Sequence, residues 1–188
     1  MSGQTKEKVL SAFNSLLSTR DFHRITVDAI VQKAGISRAT FYRHFKDKYD
    51  VMNYNYTSIL NDSLSGITYT SMEGLFERLL LTGKLQGESL LPLFATYGPN
   101  SFHEYIRDYS FTAARNIYET QSLYGTQPAH RTLNEKQKIQ LMVFCHGAAG
   151  FFEEWIKGAH SLSAEEAAAV LYEILPEFMK GDLWQDTL

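Results

Sequence analysis

The sequence predicts an all-α protein: a three-helix N-terminal helix-turn-helix domain followed by a C-terminal bundle of about five or six helices. Three observations carry this expectation. Apolar residues recur at spacings of three and four along nearly the whole chain, which turns one face of each segment toward a core. Glycine, with 12 residues, and proline, with 4, are sparse among the 188 residues, and alternating β-branched runs are nearly absent. Helix-start signals recur at Thr26, Ser37, Asp47, Ser101, Asn134 and Ser163.

The first helix is expected over residues 5–18, with Val9, Leu10, Phe13, Leu16 and Leu17 on one face. Thr26 then offers a hydroxyl to an unpaired amide of the next helix, and Ile25 before it can pack on Ile30 four positions after the cap. That helix carries Val27, Ile30, Val31 and Ala34 inward and stops at Gly35, a residue able to take the left-handed conformation that ends helices. Ser37 repeats the arrangement, with Ile36 before it and Phe41 after it. The helix it starts must be short, because Asp47 offers a further cap and opens a longer helix over residues 47–64.

Two short helices joined by a glycine-containing turn form the helix-turn-helix pattern, whose second helix enters the DNA major groove. With Ile36, Phe41 and Phe45 turned inward, Arg38, Ala39, Thr40, Tyr42, Arg43 and His44 are left outside, a surface with bases and hydrogen-bonding groups and no acid. The charge distribution agrees. Residues 1–50 hold nine Lys and Arg against five Asp and Glu, while the rest of the chain holds nine against 16, so that a net charge of -3 conceals a basic head on an acidic body.

The run Thr26-Val27-Asp28-Ala29-Ile30, continued by Ala34-Gly35-Ile36-Ser37-Arg38-Ala39-Thr40-Phe41-Tyr42-Arg43-His44-Phe45-Lys46-Asp47-Lys48, resembles the TetR/AcrR signature almost position for position. The resemblance spans residues 5–52. It departs after Lys48, where the family commonly has an acid and paired leucines and this chain has Tyr49-Asp50-Val51-Met52. Residues 1–50 are therefore expected to be the DNA-binding domain and 51–188 a ligand-binding and dimerisation domain. Arg38 and Thr40 suit base edges or adjacent phosphates, since arginine donates in a fork to guanine and threonine offers a methyl and a hydroxyl. The resemblance implies that Tyr42, His44 and Lys48 grip the phosphate backbone. Thr26 and Ser37 add contacts or serve as caps alone, and Tyr42 is equally a packing residue.

Beyond residue 64 the reading rests on periodicity. A loop at residues 65–66 leads to a helix over 72–86 carrying Leu75, Phe76, Leu79 and Leu80, and a short segment over 90–97 ends at Gly98-Pro99. Ser101 with Glu104 reads as a capping box for a helix to residue 120, with Phe102, Tyr105, Ile106, Tyr109, Ala113 and Ile117 inward. Residues 121–133 read as a loop. Asn134 with Gln137 opens a long helix to residue 157, and Ser163 with Glu166 the last, which Pro176 should kink or end near Leu175.

The long helix carries Leu141, Phe144, Ala148, Phe151, Phe152 and Trp155 in one stripe, and the last carries Val170, Leu171, Ile174 and Phe178. Either stripe suits a core. The resemblance implies a homodimer built from the last two helices of each subunit, which assigns Phe144, Ala148, Phe151, Phe152, Trp155, Leu171, Ile174 and Phe178 to the interface. The small residues Gly147, Ala148, Ala149 and Gly150 permit close helix approach there. It likewise implies a pocket among the aromatic middle helices, for which Phe76, Phe102, Tyr105 and Tyr109 are the candidates; the same aromatics would equally make plain core. Residues 147–155, with Gly158 and a final leucine-rich helix, are similar to the subgroup that includes regulators of dihydroxyacetone kinase operons.

An enzyme would need a nucleophile, metal cluster or phosphate loop, and none is found; the six histidines include no pair at metal-ligand spacing. Cys145, alone, reads as a buried small hydrophobe. No stretch reads as a membrane span or a signal peptide, so a cytoplasmic protein is expected. The partners expected are double-stranded DNA with a palindromic operator, a second copy of the chain, and a small-molecule or protein effector, with no cofactor. The function expected is that of a dimeric, sequence-specific transcriptional regulator, a repressor. The alternative is a helical regulator controlled by a partner protein and acting as an activator.

Overall fold

Helix starts and stops lie where short polar side chains and glycine put them. The computed structural model describes residues 2–65, 71–120 and 131–180, and among these residues there are helices and no strand. Helix α1 (Ser2–Leu17) buries Val9, Ala12, Phe13, Leu16 and Leu17. A 3-10 turn, Phe22–Arg24, follows, and the Phe22 ring lies edge-on to Phe13 at 6.3 Å. Helix α2 (Val27–Ala34) starts at Thr26, whose hydroxyl accepts from the Ala29 amide at 3.1 Å. It ends at Gly35, whose φ of 65° lies in the left-handed region. Helix α3 (Arg38–Tyr42) starts at Ser37, which accepts from the Thr40 amide at 3.0 Å. Each of these caps stabilises its helix by about 1 kcal/mol.

Helix α4 (Lys48–Leu64) is capped by the Asp47 carboxylate, which accepts from the amides of Tyr49 and Asp50 at 2.8 and 2.9 Å. It packs on α1 at its start and on α5 (Met72–Leu85) and α7 (Phe102–Thr120) further along, so one rigid rod joins head and body. Between α5 and α7 come a single turn of helix, α6 (Gly87–Leu90), and a 3-10 turn, Leu91–Ala95. The Thr96 hydroxyl fastens this bend, donating to the Leu93 carbonyl at 2.7 Å and accepting from the Phe102 amide at 2.8 Å.

Helix α8 (Glu135–Ile156) opens with the expected capping box of Asn134 and Gln137, and α9 (Ala164–Ile174) with that of Ser163 and Glu166. Pro176 ends α9 as expected, with Leu175 extended. The body packs α7 on α8 and α5 along α9. Gly83 sets the α5–α8 spacing: a Cβ there would stand 2.5 Å from the Phe152 ring and 2.8 Å from the Ile156 side chain. The Trp155 indole donates to the Leu162 carbonyl at 3.0 Å and ties the end of α8 to the segment leading into α9.

The expected capping box at Ser101 is half formed. Ser101 Oγ accepts from the Glu104 amide at 3.4 Å, but the Glu104 carboxylate reaches one residue further back, to the Asn100 amide at 2.9 Å. Asn100 has a φ of 65°, which swings its amide toward the carboxylate's reach. Residue 66 of the first expected loop and residues 121–130 of the second lie outside the described residues.

Candidate nucleic-acid interface

The α2–α3 pair presents one short helix at the surface. Phe41 and Phe45 turn inward with ring centres 5.7 Å apart, and Phe45 meets Tyr54 of α4 at 5.6 Å. This anchoring leaves Ser37, Arg38, Ala39, Tyr42 and Arg43 exposed, with Thr40 and His44 half-buried. Thr26 is exposed at the start of α2.

Two polar chains order that surface. Arg38 reaches back to α2, placing its guanidinium 3.0 Å from an Asp28 oxygen and 3.4 Å from the Tyr42 hydroxyl. The pair is solvent-exposed, so a phosphate or guanine edge can displace the carboxylate at little cost. The second chain runs Ser37, Thr40, Arg43: the two hydroxyls lie 2.9 Å apart, and the Arg43 guanidinium donates to Thr40 Oγ1 at 3.1 Å. Thr40 is thus already a hydrogen-bond acceptor for Arg43, and the threonine holds the arginine's direction. Lys33 and Lys46 are exposed at the end of α2 and between α3 and α4. Sequence reasoning counted them in the basic head without assigning them a role, because their positions relative to α3 depend on turn geometry.

Lys48 turns back onto the backbone of the head. Its ammonium donates to the carbonyls of Phe22, His23 and Ile25 at 3.0, 3.2 and 3.0 Å, which uses all three of its donors. It also lies 4.6 Å from the centre of the Phe22 ring. Burial lowers its pKa, opposed by the charge of Asp47. Lys48, the first residue of α4, thereby acts as a clasp that closes the 3-10 turn after α1. The 3-10 turn gathers the carbonyls of Phe22, His23 and Ile25 at the start of α4, and the Phe22 carbonyl also accepts from the Ile25 amide at 3.0 Å.

In the body a cavity of about 130 Å³ lies among α4, α5, α7, α8 and α9. Phe76 and Tyr109 line it. Phe102 and Tyr105 do not: Phe102 is fully buried between Tyr56 and Phe94, at 5.2 and 4.8 Å, and the Tyr105 hydroxyl lies 2.6 Å from Thr57 Oγ1. Phe144, Ala148, Phe152 and Leu171, expected at a dimer interface, line this cavity. Trp155, 5% exposed, is likewise buried within its own subunit. Phe151 and Phe178 are half-buried, packed on His160 and Tyr118 at 5.5 and 5.4 Å. Of the eight, Ile174 alone stands open, at 62% exposure. Ile139, Met142 and Val143 of α8, and Val170 and Ile174 of α9, are exposed apolar residues. Gly147 and Gly150 are exposed on the same helix with open space around their Cα atoms. Helix α8 is apolar on two sides, and periodicity does not tell which side faces the subunit's own core.

A capped helix pair with a basic outer helix, carried on a rod into a helical body, defines a DNA-binding regulator of helix-turn-helix type. Residues 9–54 match the family described as bacterial regulatory proteins, tetR family. No curated protein matches the sequence. Among solved structures, the chain is similar to the dihydroxyacetone kinase operon activator DhaS, at 15% identity and a TM-score of 0.59 over 91% of this chain and 93% of that one. It is also similar to NalD, the secondary repressor of the MexAB-OprM multidrug efflux pump in Pseudomonas aeruginosa, at 16% identity and a TM-score of 0.52 over 93% and 96%. At these identities the likeness is one of fold. Among the described residues no helix is long and apolar enough to cross a membrane.

Proposed function

We propose that the chain is a cytoplasmic, homodimeric repressor that reads a palindromic operator with α3 and releases it when an effector occupies the body. The observation that carries this reading is the exposed Arg38–Tyr42–Arg43 face, ordered by Asp28 and Thr40 and free of any acid of its own helix. Arg38 reads a base edge, and Thr40 orients Arg43 toward an adjacent base or phosphate. Tyr42 contacts the backbone, and the amides at Thr26 and Ser37 favour a phosphate at two helix starts. Half-buried His44 supports the same backbone contact, and Ala39 leaves room for a thymine methyl.

A single five-residue helix covers too few bases for selectivity, and a second copy one helical turn away doubles the reading. The exposed apolar residues Ile139, Met142, Val143, Val170 and Ile174 support a dimer, because residues of this kind are what isologous four-helix contacts bury. An operator-bound dimer keeps polymerase from the promoter. The same fold serves both an activator, DhaS, and a repressor, NalD, and repression is the simpler outcome of occupancy. A mobility-shift assay with the DNA upstream of the protein's own gene tests the reading: a salt-sensitive shift that competitor DNA of random sequence does not remove supports it, and no shift at low salt contradicts it.

A further inference from the structure

The walls of the body cavity are chemically uniform. None of the described residues lining it is Asp, Glu, Lys, Arg or His. Its two buried weak acids stay neutral: burial pushes the Tyr56 hydroxyl well above the usual tyrosine value and the Cys145 thiol up to about 12. A charged ligand would therefore leave water for a site with no counter-charge, which is strongly unfavourable. The volume, about 130 Å³, is close to the roughly 150 Å³ of an apolar protein cavity that accepts benzene. Aromatic rings from four helices, Tyr56, Phe76, Tyr109, Phe144 and Phe152, stand in the walls, with Phe76 and Phe144 tilted at 42° and 5.9 Å apart. Such walls favour another ring through edge and offset contacts.

Besides the Tyr56 and Tyr109 hydroxyls and the Cys145 thiol, one further polar group stands in the walls. This is Ser110, whose hydroxyl already donates to the Ile106 carbonyl at 2.6 Å. What remains for a ligand is an oxygen lone pair, which suits a donor and not an acceptor. Leu60, Leu64 and Tyr56 bring α4 into the same wall, so an occupant touches the rod that carries the reading head.

We propose, on the reading that an effector governs DNA binding, that this cavity takes an uncharged one-ring aromatic molecule bearing a hydroxyl donor, a simple phenol, with its hydroxyl on Ser110. Calorimetry on the whole protein with p-cresol, toluene and p-hydroxybenzoate tests it. The expected order has p-cresol tightest, toluene weaker by about tenfold for the lost hydrogen bond, and p-hydroxybenzoate weaker than p-cresol by at least about a hundredfold for its buried charge. Ala114→Leu and Ala148→Leu each add bulk to the wall and should lower p-cresol affinity at least about tenfold in whichever variant keeps its helical melt. Methyl NMR of the wild type makes the assignment independent of either variant, with p-cresol shifting the signals of Met72, Leu80 and Leu171. Equal affinity for p-cresol and p-hydroxybenzoate, no binding of any probe, undiminished binding by a folded filled variant, or shifts confined to methyls elsewhere each overturns the proposal. If p-cresol binds as expected and DNA affinity does not move, the ligand class stands and effector control by this cavity falls.

Discussion

The Lys48 ammonium lies 3.0 Å from the carbonyl oxygen of Phe22 and 4.6 Å from the centre of the same residue's ring. Head and rod are thereby locked together: Phe22 is buried against Phe13 of α1, and Lys48 is the first residue of α4. The start of α4 is fastened in this way to the turn between α1 and α2.

This clasp predicts the behaviour of Lys48→Ala. The variant loses three hydrogen bonds from a charged donor and should be destabilised by about 2 kcal/mol, seen in a thermal melt. Its DNA binding at a temperature where it remains folded should keep the wild-type dependence on salt. A slope lower by about one unit, with no loss of stability, would instead assign Lys48 to a phosphate.

Gly35 should tolerate no side chain for reasons of backbone alone. A Cβ at Gly35 meets nothing within 4 Å, yet its φ of 65° is left-handed. Gly35→Ala should cost roughly 1–2 kcal/mol. Specific DNA affinity should fall with it, because the angle between α2 and α3 is set there. Unchanged stability in a denaturant titration would contradict this.

The exposed apolar residues of α8 and α9 separate an interface from a core. Val143→Glu and Ile174→Glu change residues 63% and 62% exposed, so each should leave a folded helical chain that sediments as a monomer where the wild type sediments as a dimer. Trp155→Glu, at a residue 5% exposed, should unfold the body instead. A wild type that is monomeric at micromolar concentration contradicts the interface.

The start of α9 gives a pH signature. Hydrogen bonds with Ser163, first from its backbone amide and then with its side chain, hold the Glu166 carboxyl below the usual glutamate value. A depressed native pKa adds stability that is complete above the ordinary glutamate range and is lost as pH falls through the native value. Ser163→Ala should move the Glu166 titration part of the way back, followed by carbon-detected NMR, and should weaken the helix by about 1 kcal/mol at neutral pH. An unmoved titration would mean that the side chain contributes nothing.

The head was largely legible because its signals are local. Thr26, Gly35, Ser37 and Asp47 act through hydrogen bonds and dihedral angles within four residues, and all four stand in the conformations their chemistry dictates. The site's finer assignments depend on contacts distant in sequence. Lys48 finds carbonyls 23 to 26 residues away, and Arg38 finds a carboxylate on the preceding helix. In the body, the stripe of Phe144, Ala148 and Phe152 was visible as apolar, but whether it met a partner or a cavity depended on the packing of α5, which Gly83 sets from another helix. Phe102 and Tyr105 share a helical face with Tyr109, and a difference of one turn along α7 decides which of them reaches the cavity.

The most direct test of DNA reading by α3 is the binding of wild type and Arg38→Ala to a palindromic upstream fragment and to random DNA, followed by fluorescence anisotropy across a salt series. The account predicts that Arg38→Ala loses about 1–3 kcal/mol on the fragment, roughly ten- to a hundredfold in Kd, and much less on random DNA. Equal losses on both DNAs, or wild-type binding that does not distinguish them at any salt concentration, would contradict it.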